Sequence, residues 1–428
     1  MLSHEENALI CSVGPGTPMG DAMRRFWIPA LTIDELPEAD GDPLHVELLG
    51  QSFVAFRDSN GDVGLLDEAC CHRGASLTIG RVENCGIRCI YHGWLYGKDG
   101  TVLETPNVAD PMFRTRVRAR AYPVREGGGI IWAYLGDLAK MPAFPDFGFI
   151  DAPDEDRLAV VAIFGCNYVQ VLEGLLDSSH LSVLHSSSLA SLAASSELPL
   201  VTATDHMKYD AAPRIESQQT DFGLHYAAIR NLDGKAQTRV AAFLSPFWIF
   251  NPNGDLASAI VPMSDTKTAF YHVWWDGKTR YGAEPTRSAQ LEMTGLKQQL
   301  MEDYGMTRKT FDTPGRMQRA NGFRQDRARM REGHFTGAIN LVQEDLLVSV
   351  SGGGIRDRSR EKLAPADLPI AHLYRVLLKS ARSTRDGGDP VAYDMSVKHI
   401  VGRSGSLDIG TDWRQLVPEH FTPEKSAA

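Results

Sequence analysis

Apolar and polar positions alternate along the first third of the chain, from about Leu44 to Leu135. The runs HVELLG, SFVAFRD and GIIWAYLG are rich in β-branched and aromatic residues, and turn signals such as SNGD and GKDG separate them. A period of two with frequent turns is typical of half-buried strands. The pattern therefore predicts an all-β region.

The pattern changes after the Pro- and Gly-rich segment PAFPDFG, residues 142–148. The segment YVQVLEGLLDSSHLSVLH, residues 168–185, predicts a helix with an apolar stripe. Strand patterns return over 215–275, helical patterns follow over 286–304 and 366–382, and a glycine-rich loop is predicted over 351–359. Together these patterns predict an α+β protein, with an all-β domain followed by a mixed α/β domain. The expected divisions are 1–40, an N-terminal segment packing on the second domain, 41–148 and 149–428.

Composition limits the function classes. The 428 residues carry a net charge of −10, which makes nucleic acid or an anionic membrane surface a poor partner. No stretch reaches 18 apolar residues, and the N-terminus lacks the pattern of a secretory signal. Cysteines are few and clustered. We therefore expect a cytoplasmic protein whose clustered cysteines hold a metal.

Four of the six cysteines lie between Cys70 and Cys89. Cys70-x-His72 and Cys89-x-x-His92 form two ligand pairs, with 16 residues between His72 and Cys89. A structural zinc, buried residues without metal, and a [2Fe–2S] cluster held by two thiolates and two imidazoles are the alternatives. The one-residue gap of the first pair fits zinc knuckles poorly. The flanks His-Arg-Gly and His-Gly-Trp resemble the Rieske signature, so the cluster is the preferred interpretation.

A second metal site is predicted in the helical segment. Glu173, Asp177 and His180 are spaced i, i+4, i+7 and would share one face of a helix. His185 follows five residues after His180, so the helix is expected to loosen near Ser182. Two histidines with a distant carboxylate would form a 2-His-1-carboxylate triad, which leaves positions on Fe(II) open for dioxygen. The alternative is a polar surface helix with incidental histidines.

The chain resembles a known protein family in four places: the two metal motifs, the segment GPGTPMGDAMRRFWIPAL and the segment GIRDRSREKL. It resembles the catalytic α subunits of Rieske non-haem iron oxygenases, and within them the phthalate dioxygenase-like branch. The resemblance covers nearly the whole chain. It implies an all-β Rieske domain and a catalytic domain with an antiparallel sheet flanked by helices, of the helix-grip or START-like kind.

The resemblance also implies the ligands. Cys70, His72, Cys89 and His92 would bind the cluster, and His180, His185 and Asp345 the mononuclear iron. Glu344 and then Asp326 are weaker rivals for the carboxylate. High-potential Rieske proteins carry a disulfide brace at positions that are here Ala75 and Tyr91, so a low-potential cluster is expected. Cys71 and Cys85 would then be unpaired packing residues.

Two further residues receive roles from the resemblance. Asp177 would bridge His180 of one chain to His92 of its neighbour, in a head-to-tail trimer or in stacked trimers. The alternative is that Asp177 satisfies a local donor. Asn167 would lie near the iron without binding it, and its alternative role is helix capping.

The expected reaction uses dioxygen and electrons from NADH, relayed by a separate reductase or ferredoxin. The chain contains no nucleotide-binding fingerprint of the GxGxxG type in a strand-to-helix context. Members of the branch commonly act on aromatic carboxylates, which a bidentate arginine would recognise. Arg214 and Arg230 are the candidate arginines. Ser179, beside His180, is a further candidate for contact with the substrate carboxylate. Dihydroxylation is the preferred outcome, with O-demethylation as the alternative, and a non-catalytic Rieske electron carrier is the alternative from another class.

Overall fold

The computed structural model describes residues 1–193 and 210–421, with side chains up to residue 190 in the first range. Within these ranges the helices are α1 His4–Cys11, α2 Pro18–Met23, α3 Tyr168–Leu175, α4 Ser186–Ala193, α5 Thr286–Thr294, α6 Gln298–Asp303, α7 Arg327–Arg331, α8 Leu341–Ser351 and α9 Leu368–Arg385. None of these helices is long and apolar enough to cross a bilayer.

The strands up to the middle of the chain are β1 Trp27–Thr32, β2 Leu44–Leu48, β3 Gln51–Arg57, β4 Val63–Asp67, β5 Arg81–Glu83, β6 Gly86–Arg88, β7 Leu95–Gly97, β8 Val102–Glu104, β9 Val124–Gly127 and β10 Ile130–Tyr134. The later strands are β11 Leu158–Phe164, β12 Arg214–Gln219, β13 Gly223–Leu232, β14 Lys235–Leu244, β15 Trp248–Phe250, β16 Leu256–Ser264, β17 Lys267–Trp274 and β18 Arg403–Asp408.

The all-β part is built from a three-stranded sheet, β2-β3-β4, and a four-stranded sheet, β5-β6-β7-β8. Strand β3 is buried on both faces, because Phe53 and Ala55 join the main core while Val54 and Phe56 join a second core. This alternation is the period of two that the sequence showed. The second core encloses the predicted cluster cysteines.

A third sheet joins the N-terminal segment to the all-β part, because β1 pairs with β10, and β10 with β9. Helices α1 and α2 pack instead against α9 near the C-terminus. The N-terminal segment therefore contacts both halves of the chain. The divisions at 40 and 148 stay predictions.

The second half of the chain forms an eight-stranded antiparallel sheet in the order β11-β17-β16-β15-β14-β13-β12, with β18 paired to β14. Helix α9 packs against β12 and β13, and α3 lies between β16 and α8. This arrangement of helices on an antiparallel sheet confirms the predicted fold class.

The predicted helix over 168–185 is wrong in its extent. Helix α3 ends at Leu175, and His180 lies in a separate 3₁₀ turn, His180–Ser182. The break comes at Asp177, whose Oδ1 accepts hydrogen bonds from the backbone N (2.7 Å) and Oγ (2.6 Å) of Ser179. Asp and Ser side chains that bond nearby backbone compete with the helix. Glu173 therefore does not share a continuous helix face with His180.

Candidate metal centres and substrate cavity

The two Cys/His pairs lie at the tips of two loops with equivalent hydrogen bonding. In the first loop the backbone N of Cys70 donates to the carbonyl of Ala75 (2.8 Å), and that of Gly74 donates to Cys70 (2.8 Å). In the second, Cys89 donates to Trp94 and Gly93 donates to Cys89, both at 2.9 Å. Gly74 and Gly93 have φ of 76° and 74°. A positive φ suits glycine, so the loops need it there.

The four predicted ligands meet at these tips. Cys70 and Cys89 are buried in the second core, while His72 and His92 lie nearer the surface with ring centroids 4.6 Å apart. The His72 ring stacks on Trp94 at 4.4 Å. Burial, His92 and Arg73 lower the pKa of His72, which favours the neutral imidazole that a metal requires. The loops thus present two thiols on the side of the core and two imidazoles on the side of the surface.

This donor set fits a two-iron cluster better than a single ion. His92 Nδ1 is buried and has no hydrogen-bond partner among the described residues. Among the described residues, the ligand atoms of Cys70, His72, Cys89 and His92 do not all lie within 4.8 Å of one another, whereas those of His180, His185 and Asp345 do. A cluster spreads its ligands over two irons, but a zinc ion would draw them together. The zinc alternative is therefore disfavoured.

The six cysteines are free in the structure. Cys71 and Cys85 are exposed, so the expectation that they are packing residues is wrong. Both lie in surface turns, and neither belongs to a hydrophobic core. Cys85 has a φ of 58° and its sulfur accepts a hydrogen bond from Asn60 Nδ2 (3.4 Å).

His180, His185 and Asp345 are the compact group, with ligand atoms within 4.8 Å of one another. Asp345 Oδ1 lies 3.2 Å from His185 Nε2 and 3.8 Å from His180 Nε2. His180 comes from the 3₁₀ turn, His185 immediately precedes α4, and Asp345 projects from α8. Two imidazoles and one carboxylate are the donors of a mononuclear Fe(II) site with open positions.

Glu344 is not in the group but supports it. His185 Nδ1 lies 2.8 Å from Glu344 Oε2, and Thr336 Oγ1 donates to Glu344 Oε1 at 2.7 Å. Burial alone would lower the pKa of His185, yet the carboxylates of Asp345 and Glu344 raise it to about 10. Two carboxylates facing one imidazole require a positive charge between them. A divalent cation can supply that charge in place of the proton.

Asp326, the weakest rival for the carboxylate, caps α7 instead. Its side chain accepts from the backbone N of Ala328 (2.8 Å) and Arg329 (3.1 Å).

Asp177 lies beside His180, with Oδ2 3.6 Å from His180 Nδ1. Burial alone would raise the pKa of Asp177, but His180 and the two hydrogen bonds from Ser179 hold it below its usual range. Asp177 is therefore ionised at neutral pH. Ser179 is occupied by this contact.

Asn167, Gln170 and Glu173 hold α3 in place. Asn167 caps α3 through Val169 N, and its amide donates to the carbonyls of Cys11 (2.9 Å) and Asp265 (2.7 Å). These contacts match the capping alternative. Gln170 Nε2 donates to the carbonyl of Ser349 on α8 (2.8 Å). The helix before His180 is thereby fixed to the helix that carries Asp345.

Glu173 is buried and bonded to Arg356, Arg358 and the hydroxyl of Tyr374. Arg358 is completely buried. This cluster ties α3 to the segment GIRDRSREKL and to α9.

A cavity of about 430 Å³ opens beside the iron group, and His180 and Asp345 form part of its wall. Its apolar lining includes Leu181, Leu184, Tyr226, Phe270 and Ile370. It also contains Arg239, which is buried and donates from Nη1 to Asn253 Oδ1 at 2.9 Å. Burial lowers the pKa of Arg239 to about 10, so its guanidinium is charged at neutral pH.

The arginines predicted from the sequence lie elsewhere. Arg230 is buried, donates to the carbonyls of Asp210 (2.8 Å) and Ser178 (3.1 Å), and is not among the residues of the cavity wall. Arg214 pairs with Glu216 at the surface. It faces Ile229 across β12 and β13, whereas Arg239 faces Ala228 across β13 and β14. Residues paired across strands share a face, so Arg214 lies on the opposite face from Tyr226 and Arg239.

Sequence reasoning missed Arg239 and the supporting role of Glu344. The signal for Arg239 was available in part, because TRVAAFL was recognised as a strand next to GLHYAAIRNL. The hairpin register that places Arg239 beside Tyr226 was needed to choose it.

Two family models match the chain. Residues 26–123 match the Rieske [2Fe-2S] domain, and residues 133–427 match the LigXa C-terminal domain like family. The chain is 37% identical to the phthalate 4,5-dioxygenase oxygenase subunit of Pseudomonas putida, over 90% of this chain and 88% of that protein. It is 29% identical to the 5,5'-dehydrodivanillate O-demethylase oxygenase subunit of Sphingobium sp., over 100% of this chain and 91% of that protein.

A solved structure shares the fold. Dicamba monooxygenase bound to dicamba superposes with a TM-score of 0.56 at 17% identity, over 85% of this chain and 98% of that one. The Rieske domain, the donor sets of both centres and the relatives agree on the [2Fe–2S] cluster and the mononuclear iron. The chain therefore belongs to the Rieske non-haem iron aromatic-ring-hydroxylating oxygenases, as a catalytic α subunit of the phthalate dioxygenase-like branch.

Proposed function

We propose that this subunit is the terminal oxygenase of a multicomponent system and dihydroxylates an aromatic carboxylate. Electrons would come from NADH through a separate reductase or ferredoxin. One observation carries the proposal: His180 and Asp345 form part of the wall of a cavity that has both an apolar side, with Leu181 and Phe270, and the buried cation Arg239. A flat apolar ring with one acidic group is the ligand that such a cavity suits.

Cys70, His72, Cys89 and His92 would hold the cluster, and His180, His185 and Asp345 the iron. When bound, the cluster supplies single electrons and the iron supplies open positions for dioxygen. The chain's own residues prepare this chemistry. Glu344 accepts a hydrogen bond from Nδ1–H of His185, which keeps the proton on that nitrogen and leaves the Nε2 lone pair, on the side of Asp345, available to bind the metal.

The substrate would be held by its ring and its charge. Tyr226, Phe270 and Leu181 supply apolar wall, and Arg239 supplies a fixed guanidinium. A bidentate arginine–carboxylate pair in a buried site fixes orientation as well as affinity. Arg230 would act indirectly, because its bond to the Ser178 carbonyl braces the chain two residues before His180.

We further propose that the working unit is a head-to-tail trimer, alone or stacked. Ile90 and Tyr91 are exposed beside the cluster histidines. Val183 and Val348 are exposed beside the iron group. Exposed apolar side chains at two different places on one chain, one beside each centre, suit a heterologous interface that closes into a ring. Asp177, ionised and beside His180, would then reach His92 of the partner subunit.

A second outcome, O-demethylation of a methoxylated aromatic acid, is supported by the full-length likeness to the Sphingobium O-demethylase subunit. The iron ligands are the same for both reactions, so the substrate's position in the cavity would decide between them. A pure electron carrier would have no use for His180, His185 and Asp345 around a cavity.

The test is oxygen uptake coupled to NADH, with a reductase present, over a panel containing phthalate, 3-chlorobenzoate and a methoxybenzoate. Uptake with a diol product supports dihydroxylation, and release of formaldehyde supports demethylation. His180→Ala should abolish uptake while the visible spectrum of the cluster is retained. Uptake that survives in His180→Ala would refute the assignment of the iron site.

A further inference from the structure

The hydroxyl of Tyr96 lies between the sulfurs of two consecutive cysteines. Tyr96 OH is 2.9 Å from Cys70 Sγ and 3.6 Å from Cys71 Sγ. Tyr96 is fully buried on β7, Cys70 is buried beside it, and Cys71 reaches the same hydroxyl from the surface. Cys71 is not one of the residues assigned to the cluster, and nothing in the proposed reaction uses it.

The direction of these hydrogen bonds follows from the assignment of Cys70 as a cluster ligand. A coordinated cysteine is a thiolate and has no proton to give, so the Tyr96 hydroxyl must donate to Cys70. The Tyr96 oxygen keeps its lone pairs, and the Cys71 thiol can donate to one of them. The result is a chain from the Cys71 S–H through the Tyr96 O–H to the Cys70 sulfur.

We propose that Cys71 is a positioning residue that raises the reduction potential of the cluster through Tyr96. Hydrogen bonds to the sulfurs are among the factors that set the potential of an iron–sulfur cluster, because they stabilise the more negative, reduced form. A donor to the Tyr96 oxygen polarises its O–H bond and strengthens the bond to Cys70. The cluster environment therefore extends to a surface thiol that is not a ligand.

The chain offers a matched control in Cys85. It is also an exposed free cysteine of the all-β part, but its sulfur contacts Asn60 and has no hydrogen bond to Tyr96. A substitution at Cys85 changes the thiol content in the same way without touching the chain to Cys70.

The experiment measures the midpoint potential of the cluster in the full-length holoenzyme, by a redox titration followed by electron paramagnetic resonance. The variants are Cys71→Ala, Cys71→Ser, Tyr96→Phe, the double variant Tyr96→Phe/Cys71→Ala, and Cys85→Ala. Iron and acid-labile sulfide are determined for each, so that loss of the cluster is separated from a change in its potential. If no variant and no wild-type preparation contains sulfide, the cluster assignment itself fails, and with it this proposal.

Cys71→Ala and Tyr96→Phe should each lower the potential, and Cys85→Ala should leave it unchanged. Cys71→Ser keeps a donor and should lie closer to the wild type than Cys71→Ala. Because Cys71 acts through Tyr96, adding Cys71→Ala to Tyr96→Phe should cause no further shift. An unchanged potential in Cys71→Ala would overturn the proposal, and so would shifts that simply add in the double variant. If Tyr96→Phe does not assemble a cluster, the comparison of Cys71→Ala with Cys71→Ser and Cys85→Ala decides.

Discussion

His185 and Glu344 are 159 residues apart in the chain, yet His185 Nδ1 lies 2.8 Å from Glu344 Oε2 and both side chains are buried. The next residue, Asp345, approaches the other nitrogen of the same ring at 3.2 Å. One imidazole is thus held between two consecutive carboxylates. Asp345 would therefore bind the iron itself, whereas Glu344 orients His185, which is one of the iron ligands.

Glu344→Gln should therefore weaken iron binding without abolishing it. The loss of a carboxylate behind a ligating histidine typically costs about 10–100-fold in metal affinity. Iron content after dialysis against a chelator measures the effect, and Asp345→Asn should lose iron more completely. Asp326→Asn is the control, since Asp326 caps α7, and it should keep its iron. Equal iron retention in Glu344→Gln and the wild type would contradict the supporting role.

The three arginine candidates should respond differently. Arg239→Gln should raise KM for an aromatic carboxylate by about 10–100-fold, because a charged hydrogen-bonded pair contributes about 1.5–3 kcal/mol. The methyl ester of the same acid should show little change. Arg214→Gln should leave KM for the acid and KM for its methyl ester unchanged, since Arg214 lies on the other face of the sheet. A large effect of Arg214→Gln on KM would mean that the cavity is not the substrate site.

Arg230→Gln should act through structure instead. It would leave the carbonyls of Ser178 and Asp210 without their donor, so thermal stability should fall together with kcat. Differential scanning calorimetry beside the kinetic assay distinguishes this from loss of a substrate contact.

Asp177→Asn should keep both metal centres and still lose oxygen uptake, if Asp177 connects the centres of neighbouring subunits. The measurement is stopped-flow reoxidation of the reduced cluster by dioxygen with substrate present. Ser179→Ala is the matched variant, because it removes one hydrogen bond to Asp177 but leaves the carboxylate and the bond from the backbone N. It should be affected far less. Fast reoxidation in Asp177→Asn would rule out the bridging role.

Glu173→Gln should destabilise the fold strongly. Arg358 is completely buried and pairs with Glu173, and removing one partner of a buried ion pair costs about 3–5 kcal/mol. Urea unfolding measures the change in the free energy of unfolding. Asp408→Asn breaks the exposed pair with Lys235 and should leave the unfolding midpoint unchanged.

Stability should also depend on pH through a buried pair of histidines. His225 Nδ1 and His420 Nδ1 lie 3.1 Å apart, and His420 Nε2 accepts from the backbone N of Val401 (3.1 Å). Burial is the main cause that lowers the pKa of His225 to about 3 and that of His420 to about 4. Of the neighbouring charges, Arg414, Arg403 and His399 add to the lowering, and Glu419 opposes it.

The sign of the pH effect follows from these values. Both folded pKa values lie below the ordinary 6.5, so between about pH 4 and 6.5 the unfolded chain binds more protons. The contribution of the two neutral histidines to the free energy of unfolding is fully present above pH 6.5. It falls as the pH falls, by about 2 kcal/mol per histidine at pH 5. The free energy of unfolding at pH 7.5 and pH 5 checks this. His420→Gln should flatten the dependence, and an unchanged slope would contradict the assignment.

The local motifs were readable because their geometry is local. Cys70-x-His72 and Cys89-x-x-His92 each lie in a loop closed by its own backbone hydrogen bonds, so the spacing of ligands in sequence nearly fixes their spacing in space. His180 and His185 are also close together in the sequence, so the same local argument applies to them. The helix that was expected to carry them ends earlier because Asp177 and Ser179 bond each other, which a count of apolar positions does not register.

The sequence by itself determined the two metal motifs, the order of an all-β and a mixed domain, and, through resemblance, the family. The resemblance already placed Asp345 ahead of Glu344 as the carboxylate ligand. Tertiary structure alone decided that Glu344 supports His185 from the other side of the ring, and which arginine enters the cavity. Glu344 and Asp345 differ by about 100° of rotation on one helix, and Arg214 and Arg239 differ in the face of one sheet. Such choices depend on how a helix is rotated and how strands are paired, and residues far apart in the chain fix both.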